Sequence, residues 1–423
     1  MAEPRLTDDR QIGPGRESNG IMGRTFSSLR HRNFRLYFIG QMVSNTGNWL
    51  TNVAITLLVL KITGSGLRVG VLAACQYGPM MILSPYAGAL ADRFSKRRSL
   101  IVTQTLEMAQ SIGLAIVAFL PHPPLIALYV LALAGGIFLA FDNPLRRSFV
   151  TEMVSSDDLP NAIVLYSTIV NGSRIFGPAL AGALIVSVGY GWCFTLDAAS
   201  YLAVLACLFL MRESELHRPD RVTELKGAVR AGLRYVLGTP PLWIGFLMLA
   251  IVGTLSYNFT VTLPIFVTQV LHSSERTYTL LYSTFSVGAV VCSLVIAHRG
   301  LTRMRHIIRG AVLLGVAMLL LSQASSVLVA VPIIFGVGMA SILYMTATTA
   351  IAQTEAKREM HGRVLALQTV LIGGPMAVGG PILGGLADAL GGRAPIVVGG
   401  VAALAAAGIG TWASRRYISS GSV

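Results

Sequence analysis

Long apolar segments, separated by short polar turns, follow one another along almost the whole chain. A helix needs roughly 17–25 residues to cross a bilayer, and the sequence contains twelve apolar segments of about that length. They lie near residues 36–60, 69–91, 99–120, 125–145, 162–187, 192–211, 242–267, 278–298, 307–324, 327–350, 364–387 and 395–413. The pattern predicts an all-α polytopic membrane protein with twelve transmembrane helices.

One long charged stretch, residues 212–241, divides these segments six and six. Its later part, 222–237, has apolar residues at helical spacing and is expected to lie on the membrane surface. The predicted layout has five parts: a disordered N-terminus (1–30), a six-helix bundle (31–211), a central loop (212–241), a second six-helix bundle (242–413) and a C-terminal tail (414–423).

The two halves contain a weak internal repeat. A shift of 203 positions pairs Gly177 with Gly380, Pro178 with Pro381 and Gly182 with Gly385. These residues fall at the same depth of the fifth and eleventh spans, where small residues and prolines allow close packing and bending. The repeat predicts two pseudo-symmetric bundles, an architecture in which the substrate site of a transporter lies between the halves.

The distribution of charge gives the expected orientation. The net charge is +14, yet only 12% of residues are charged and 53% are hydrophobic. Of the 33 Lys and Arg, 28 fall on the side of the N-terminus, four on the other side, and Arg174 within a span. The positive-inside rule therefore places both termini in the cytoplasm. A nucleic-acid partner is excluded, because a basic nucleic-acid surface would not alternate with apolar spans.

The first span carries a stripe of amides. Gln41, Asn45, Asn48 and Asn52 recur at helical spacing and share one face. Four amides facing lipid would be costly, so the stripe either lines a cavity or joins neighbouring helices by hydrogen bonds. The seventh span offers further uncharged polar groups as cavity-lining candidates, Ser256 and Asn258 among them.

The fifth span contains a cation. Arg174 lies on one face with Asn171, and both are substrate-binding candidates. A charged side chain near the bilayer centre costs at least ~2.5–3.5 kcal/mol and needs a partner. The candidate partners are Glu107, in the third span, and Asp142, near the end of the fourth.

These two carboxyls are also the proton-coupling candidates. A carboxyl that alternates between a desolvated environment and a cationic partner can act as a proton switch. Glu107 is either such a carrier or a structural partner, and Asp142 either couples protons or caps a loop near a gate. Two other acids, Asp197 and Asp388, are expected at the membrane interface, near the outer ends of their spans.

The loop after the second span reads GALADRFSKRRS, residues 88–99. Taken alone, its cations could simply anchor the loop in the cytoplasm. The stretch nevertheless resembles the inter-helix signature of the major facilitator superfamily at Gly88, Asp92, Arg93 and Arg97, and also at Leu90 and Arg98. In that family the motif latches the two halves on the cytoplasmic side. The resemblance therefore assigns Gly88, Asp92, Arg93 and Arg97 to a cytoplasmic gate.

Four longer stretches resemble one branch of the superfamily, the drug and siderophore exporters. They are residues 32–54, 90–98, 141–182 and 361–374. This resemblance implies a transporter, not an enzyme, that exports an amphipathic small molecule across the plasma (inner) membrane by alternating access and proton antiport. A symporter or a lipid transporter of the same fold is the alternative, and a non-transporting receptor or scaffold is a third reading.

The expected partners are thus a small-molecule substrate, protons and the lipid bilayer, with the chain acting as a monomer. No cofactor or metal is expected. The seven histidines and four cysteines show no metal-ligand spacing, and the sequence has no P-loop.

Overall fold

The computed structural model describes residues 26–91, 94–217, 228–296 and 303–419. In these residues the chain is helical throughout, with no strand. The first half consists of α1 (Arg32–Thr63), α2 (Gly66–Ala91), α3 (Lys96–Ala118), α4 (Leu125–Met153), α5 (Leu159–Ser187) and α6 (Tyr190–Leu210). The second half consists of α8 (Pro240–Leu255), α9 (Phe259–Gln269), α10 (Glu275–Ile296), α11 (Met304–Gln323), α12 (Val327–Thr354), α13 (His361–Leu390) and α14 (Ala394–Ser419). A short helix, α7 (Ala228–Gly238), lies between the halves in sequence.

The helices confirm the all-α polytopic fold. Within the described ranges, eleven stretches are long and apolar enough to cross a membrane, and α8 and α9 together form one of them, Pro240–Gln269. The helix missing from that set is α1. It has 32 residues and is therefore about 48 Å long, which is long enough to cross a bilayer, but the amide stripe makes it less apolar than the others. A count of twelve spans is consistent with this arrangement, the seventh being broken near Ser256.

Three boundaries differ from the expected layout: the N-terminal tail, the end of α4, and the end of α14, which runs to Ser419 and so into the expected C-terminal tail. Residues 26–30, expected to be disordered, include a 3₁₀ turn, Ser27–Arg30, that packs against α5. Its Ser27 hydroxyl donates to Asp158 at 2.7 Å, which explains the order. The fourth helix, α4, continues to Met153, eight residues beyond the predicted end at 145. The other expected tail residues, 1–25 and 420–423, lie outside the described part of the chain.

Helix packing repeats between the halves. In the first half α1 contacts α5 and α6, and in the second α8 contacts α13 and α14. Likewise, α2 packs on α4 in the first half, and α10 packs on α12 in the second. The contact of α3 with α6 corresponds in the same way to that of α11 with α14. The same set of neighbours in each half makes the two bundles pseudo-symmetric.

The halves meet along two helix pairs, α2 with α13 and α5 with α10. We call the side on which α1 begins and α14 ends the terminal face, and the other side the opposite face. Near the opposite face Gly66 and Gly70 of α2 approach Gly384 and Gly380 of α13 so closely that an added Cβ would strike backbone atoms. Glycine at these positions lets the two helices touch along their backbones.

Candidate functional site

A buried ionic cluster lies inside the first half. Glu107 of α3, and Asp142 and Arg146 of α4, are 4%, 0% and 4% exposed. The Arg146 guanidinium contacts Asp142 one helical turn away and reaches Glu107 at 3.2 Å between Nη2 and Oε2. A buried arginine with its fixed fork of donors suits two carboxylates at once.

Amide and hydroxyl groups hold this cluster in place. Gln41 of α1 accepts from Arg146 Nη1 at 2.8 Å. Gln104 donates to Asp142 at 2.8 Å and to Glu107 at 3.1 Å, and the Thr103 hydroxyl donates to Asp142 at 2.8 Å. The cluster therefore joins α1, α3 and α4 through side chains that would be costly to bury alone.

The structure corrects the expected pairing of Arg174. Among the described residues Arg174 has no acidic partner, and the cation that binds Glu107 and Asp142 is Arg146. The sequence pattern placed Arg146 just beyond the fourth span. Because α4 continues through Met153, Arg146 instead lies within the helix and turns into the bundle.

Arg174 lies where the two halves face each other, and we call the region bordered by Arg174, Trp49 and Tyr282 the cleft. Its side chain is exposed, and its guanidinium carbon lies 5.9 Å from the centre of the Trp49 ring. The hydroxyls of Tyr77, Tyr257 and Tyr282 are close enough to interact electrostatically with its charge. Trp49 of the first half and Tyr282 of the second lie 5.7 Å apart between ring centres. The cleft thus combines one cation with aromatic rings from both halves.

The amide stripe of α1 divides into two parts. Gln41 belongs to the ionic cluster, and Asn45 donates to its side-chain oxygen at 3.1 Å. Further along, Asn48 accepts from the Tyr201 hydroxyl at 2.8 Å, and Asn52 donates to the Tyr77 hydroxyl at 3.1 Å. Every amide of the stripe therefore has a hydrogen-bond partner within the first half. The bonds of Gln41, Asn48 and Asn52 join α1 to other helices, whereas that of Asn45 stays within α1. Asn48 and Asn52 also line a pocket, so both alternatives describe part of the stripe.

That pocket has a cavity volume of about 90 Å³ and lies among α1, α2, α3, α4 and α6. Asn48, Asn52, Tyr77 and Glu107 line it, together with Gln110 and others. Because Glu107 belongs to the ionic cluster, the pocket reaches that cluster. It is large enough for several waters, and its lining offers them polar partners.

Asp197 is a functional candidate that the sequence pattern misplaced. It was expected at the membrane interface, but it is 1% exposed and lies two turns inside α6. Its Oδ2 accepts from Thr51 at 2.6 Å and from Ser111 at 2.7 Å, whereas Oδ1 has no hydrogen-bond partner. Gly47 of α1 lies against it, and a Cβ there would come within 2.6 Å of Oδ1. In the sequence, Gly47 is the residue that could have indicated this close contact between α1 and Asp197.

Ser256 and Asn258 mark the break in the seventh span. Both are buried, at 2% and 0% exposure. Ser256 donates to the carbonyl of Gly399 at 2.7 Å, and Asn258 donates to the carbonyl of Thr254 at 2.7 Å. Their side-chain donors thus satisfy backbone carbonyls around the break between α8 and α9, and neither residue lines the polar pocket.

Of the four gate candidates, the structure describes the contacts of one. Arg97 donates to the carbonyl of Leu208 at 2.7 Å and to Glu213 at 2.5 Å, which ties α3 to the end of α6 in the same half. Gly88 lies within α2, among residues whose side chains are not described, and Asp92 and Arg93 lie outside the described residues. A neighbouring contact that the pattern missed is the buried pair of Lys96 and Glu152, 3.1 Å apart.

The repeated glycines and prolines lie where the halves or their helices approach. An added Cβ would meet Trp49 at Gly177, Thr279 of α10 at Gly182, and Gly70 of α2 at Gly380, while at Gly385 it would only touch Leu67 at 3.7 Å. Pro178 and Pro381 lie inside α5 and α13. The side chain of Asn171 is outside the described set.

Comparison with known proteins agrees with this architecture. Residues 23–419 match the family described as transmembrane secretion effector. The chain is 23% identical over 341 residues to the staphyloferrin A transporter of Staphylococcus aureus, which covers 79% of this chain and 84% of that protein. It is 26% identical over 364 residues to the enterobactin exporter EntS of Salmonella typhi, covering 84% and 86%.

Solved structures share the fold. A bacterial homologue of the human lysosomal transporter Spinster, in an inward-facing and unoccupied conformation, superposes with a TM-score of 0.74 at 17% identity, covering 92% of this chain and 98% of that one. A POT family transporter in complex with 5-aminolevulinic acid gives 0.74 at 12% identity, covering 91% and 96%. With its paired six-helix bundles and a family match over nearly its whole length, the chain is a multi-pass membrane transporter and not an enzyme, and it belongs to the transmembrane secretion effector family of the major facilitator superfamily.

Proposed function

We propose that this protein exports a siderophore-type amphipathic molecule across the plasma (inner) membrane in exchange for protons. The observation that carries the proposal is the buried cluster of Glu107, Asp142 and Arg146, in which two carboxyls share one guanidinium. A surplus carboxyl inside the membrane is costly while ionised and readily takes up a proton. Siderophore transporters among the relatives support the choice of cargo.

The cleft at Arg174 is the proposed cargo site. A cation without an acidic partner among the described residues would favour a negatively charged group, and Trp49 and Tyr282 offer ring faces from both halves. The single chain supplies both sides of this cleft, which supports action as a monomer. Asn171, on the same helix, remains a candidate contact.

Alternating access would move the two halves about this cleft. The close glycine contacts of α2 with α13 lie towards the opposite face, which supports a state open to the terminal face. The charge bias supports assigning the terminal face to the cytoplasm. Gly88, Asp92, Arg93 and Arg97 then belong to the cytoplasmic gate, and Gly177, Pro178, Gly182, Gly380, Pro381 and Gly385 to the packing and bending of the moving helices.

The test is transport by the purified protein in liposomes, with enterobactin and staphyloferrin A as the supplied probes and an internal pH dye to follow protons. Cargo movement should be accompanied by proton movement in the opposite direction. Movement in the same direction would identify a symporter. Movement of lipid without either probe would favour the lipid transporter, and no movement of any of them would refute a transport cycle with these cargoes.

Two variants connect the test to residues. Glu107→Gln should remove proton counterflow, whereas Glu355→Gln, at the exposed end of α12, should leave it unchanged. Arg174→Gln should weaken the binding of an anionic probe, with the exposed Arg276→Gln as its charge-matched control. Normal coupling in the Glu107 variant would remove that residue from the mechanism, and normal binding in the Arg174 variant would move the cargo site elsewhere.

A further inference from the structure

Three buried carboxyls, not two, lie along one continuous face of α3: Glu107 belongs to that face, and Asp142 and Asp197 contact it from other helices. Thr103, Gln104, Glu107 and Ser111 are all buried on that face, at 9%, 0%, 4% and 0% exposure. Thr103 and Gln104 donate hydrogen bonds to Asp142, and Ser111 donates one to Asp197. Glu107, between them on the same face, is itself an acid. From position 103 to 111 the helix rises about 12 Å, so the acids are spread along much of the interior of the first half.

The charges around Asp197 leave it without a cation of its own. On α3 it faces Ser111 and, one turn away, Glu107. On α1 it meets Gly47 and the hydroxyl of Thr51, and on its own helix Tyr201 lies one turn on. Among the described side chains of this region the one buried cation is Arg146 on α4, and it already contacts both Glu107 and Asp142. Three carboxyls therefore share one guanidinium, and burying two uncompensated charges would cost several kcal/mol, so protons are the available counter-charge.

The atoms of Asp197 fit a bound proton. Oδ2 accepts two hydroxyl hydrogen bonds, at 2.6 and 2.7 Å, while Oδ1 is buried with no partner. An ionised oxygen left without a donor in an apolar interior is unfavourable, and protonation removes its charge. Tyr201, Thr51 and Glu107 all line the polar pocket, which gives room for water near Asp197 and Glu107.

We propose that Asp197, Glu107 and Asp142 form a proton relay along α3, inside the first half and separate from the Arg174 cleft. In each step a proton leaves one carboxyl oxygen, directly or through a pocket water, as the next carboxylate accepts it. Protons would then occupy a site inside the first half, and cargo a separate site between the halves. The inference rests on the proton coupling proposed above and adds Asp197 as a residue required for it.

Infrared spectroscopy of the full-length protein in lipid nanodiscs tests the proton directly, without any cargo. At neutral pH the wild type should show the carbonyl band of protonated carboxyl groups. Asp197→Asn, which keeps the shape and an accepting oxygen, should lose part of that band, and the exposed Asp157→Asn should not. An unchanged spectrum in the Asp197 variant, or no band in the wild type, would overturn the proposal.

A second variant keeps the test decisive if Asp197→Asn fails to fold. Ser111→Ala leaves every carboxyl in place but removes the α3 hydroxyl that contacts Asp197, so the band should persist while proton uptake in liposomes slows. Enterobactin transport by the wild type separates the two proposals. A carboxyl band without proton counterflow would refute antiport and leave the bound proton standing, whereas full counterflow in Asp197→Asn would refute the relay alone.

Discussion

The carboxylate of Asp388, near the end of α13, accepts a hydrogen bond from the backbone N–H of Gly66 at the start of α2, with 2.6 Å between N and Oδ1. The same carboxylate accepts from the N–H of Leu67 at 3.0 Å and from the Ser65 hydroxyl at 2.6 Å. An acid of the second half thus caps a helix of the first half, where the free N–H groups and the helix dipole favour a negative charge.

Asp388→Ala should weaken the closure of the opposite face. Loss of a helix cap costs ~0.5–2 kcal/mol. Because this cap joins the two halves, its loss destabilises the conformation in which the halves are in contact at the opposite face. Electron–electron distance measurements between spin labels on the opposite ends of α2 and α13 should show a larger open population. Asp388→Asn retains an accepting oxygen and should show a smaller shift. Identical distance distributions in all three proteins would exclude Asp388 from closure.

Gly70→Ala should also open the contact between the halves, through sterics. A Cβ on Gly70 would overlap the carbonyl of Gly380 in α13, which cannot move as a flexible side chain can. Overpacking of this kind costs typically ~1–3 kcal/mol, enough to change a conformational equilibrium by about fivefold to more than a hundredfold. We expect a strong loss of transport with a matching change in the spin-label distances.

A matched glycine controls for the loss of backbone freedom. Gly336 lies within α12, and a Cβ there would meet nothing within 4 Å. Gly336→Ala should preserve transport and could stabilise the helix by ~0.5–1 kcal/mol. If both variants lose transport equally, helix flexibility and not the α2–α13 contact is the sensitive property.

The fold could be predicted from the sequence because apolar length and repeat spacing are local signals. Six spans in each half, the break at 212–241 and the placement of the cations follow directly from such patterns. The repeat of Gly177 as Gly380 also marked helices that pack closely. All of these depend on residues close together in the chain or on a fixed offset, and none needs a helix to be rotated correctly.

The charge partners could not be predicted, because pairing depends on helix ends and helix rotation. Arg146 was separated from Glu107 by an assumed end of the fourth span at residue 145, whereas α4 runs to Met153. Asp197 was assigned to the interface by its nearness to the start of an apolar segment. Asp197 is buried because Gly47 lets α1 approach it closely. The pattern of residues within α6 itself gives no indication of that contact.

Arg146→Gln should destabilise the protein strongly. Removing one partner of a buried ion pair costs about 3–5 kcal/mol because the remaining charges are left uncompensated, and here two carboxyls lose their cation. Thermal unfolding in detergent should therefore shift markedly to lower temperature. The next residue, Arg147, is exposed, so Arg147→Gln should stay within about 0.5 kcal/mol of the wild type. Equal unfolding temperatures for the two variants would contradict a structural role for the cluster.

The attachment of the N-terminal turn to α5 should weaken in acid. The Ser27 hydroxyl and the His31 ring hold the pKa of Asp158 below its usual value by hydrogen bonding to the carboxylate, at 2.7 and 2.8 Å. Because the folded pKa is lower than the unfolded one, the stabilisation is fully present above the ordinary pKa of about 3.9. It is lost as pH falls through the lowered value.

Hydrogen–deuterium exchange of residues 26–31 measures this attachment. Protection should be constant from neutral pH down to about 4 and then fall as the carboxylate is protonated, after correction for the intrinsic exchange rate. Asp158→Asn, with no charge to titrate, should show reduced protection at every pH and no acid step. Asp157→Asn, one residue earlier and exposed, should keep the wild-type profile. An acid step that survives in Asp158→Asn would assign the titration to another group.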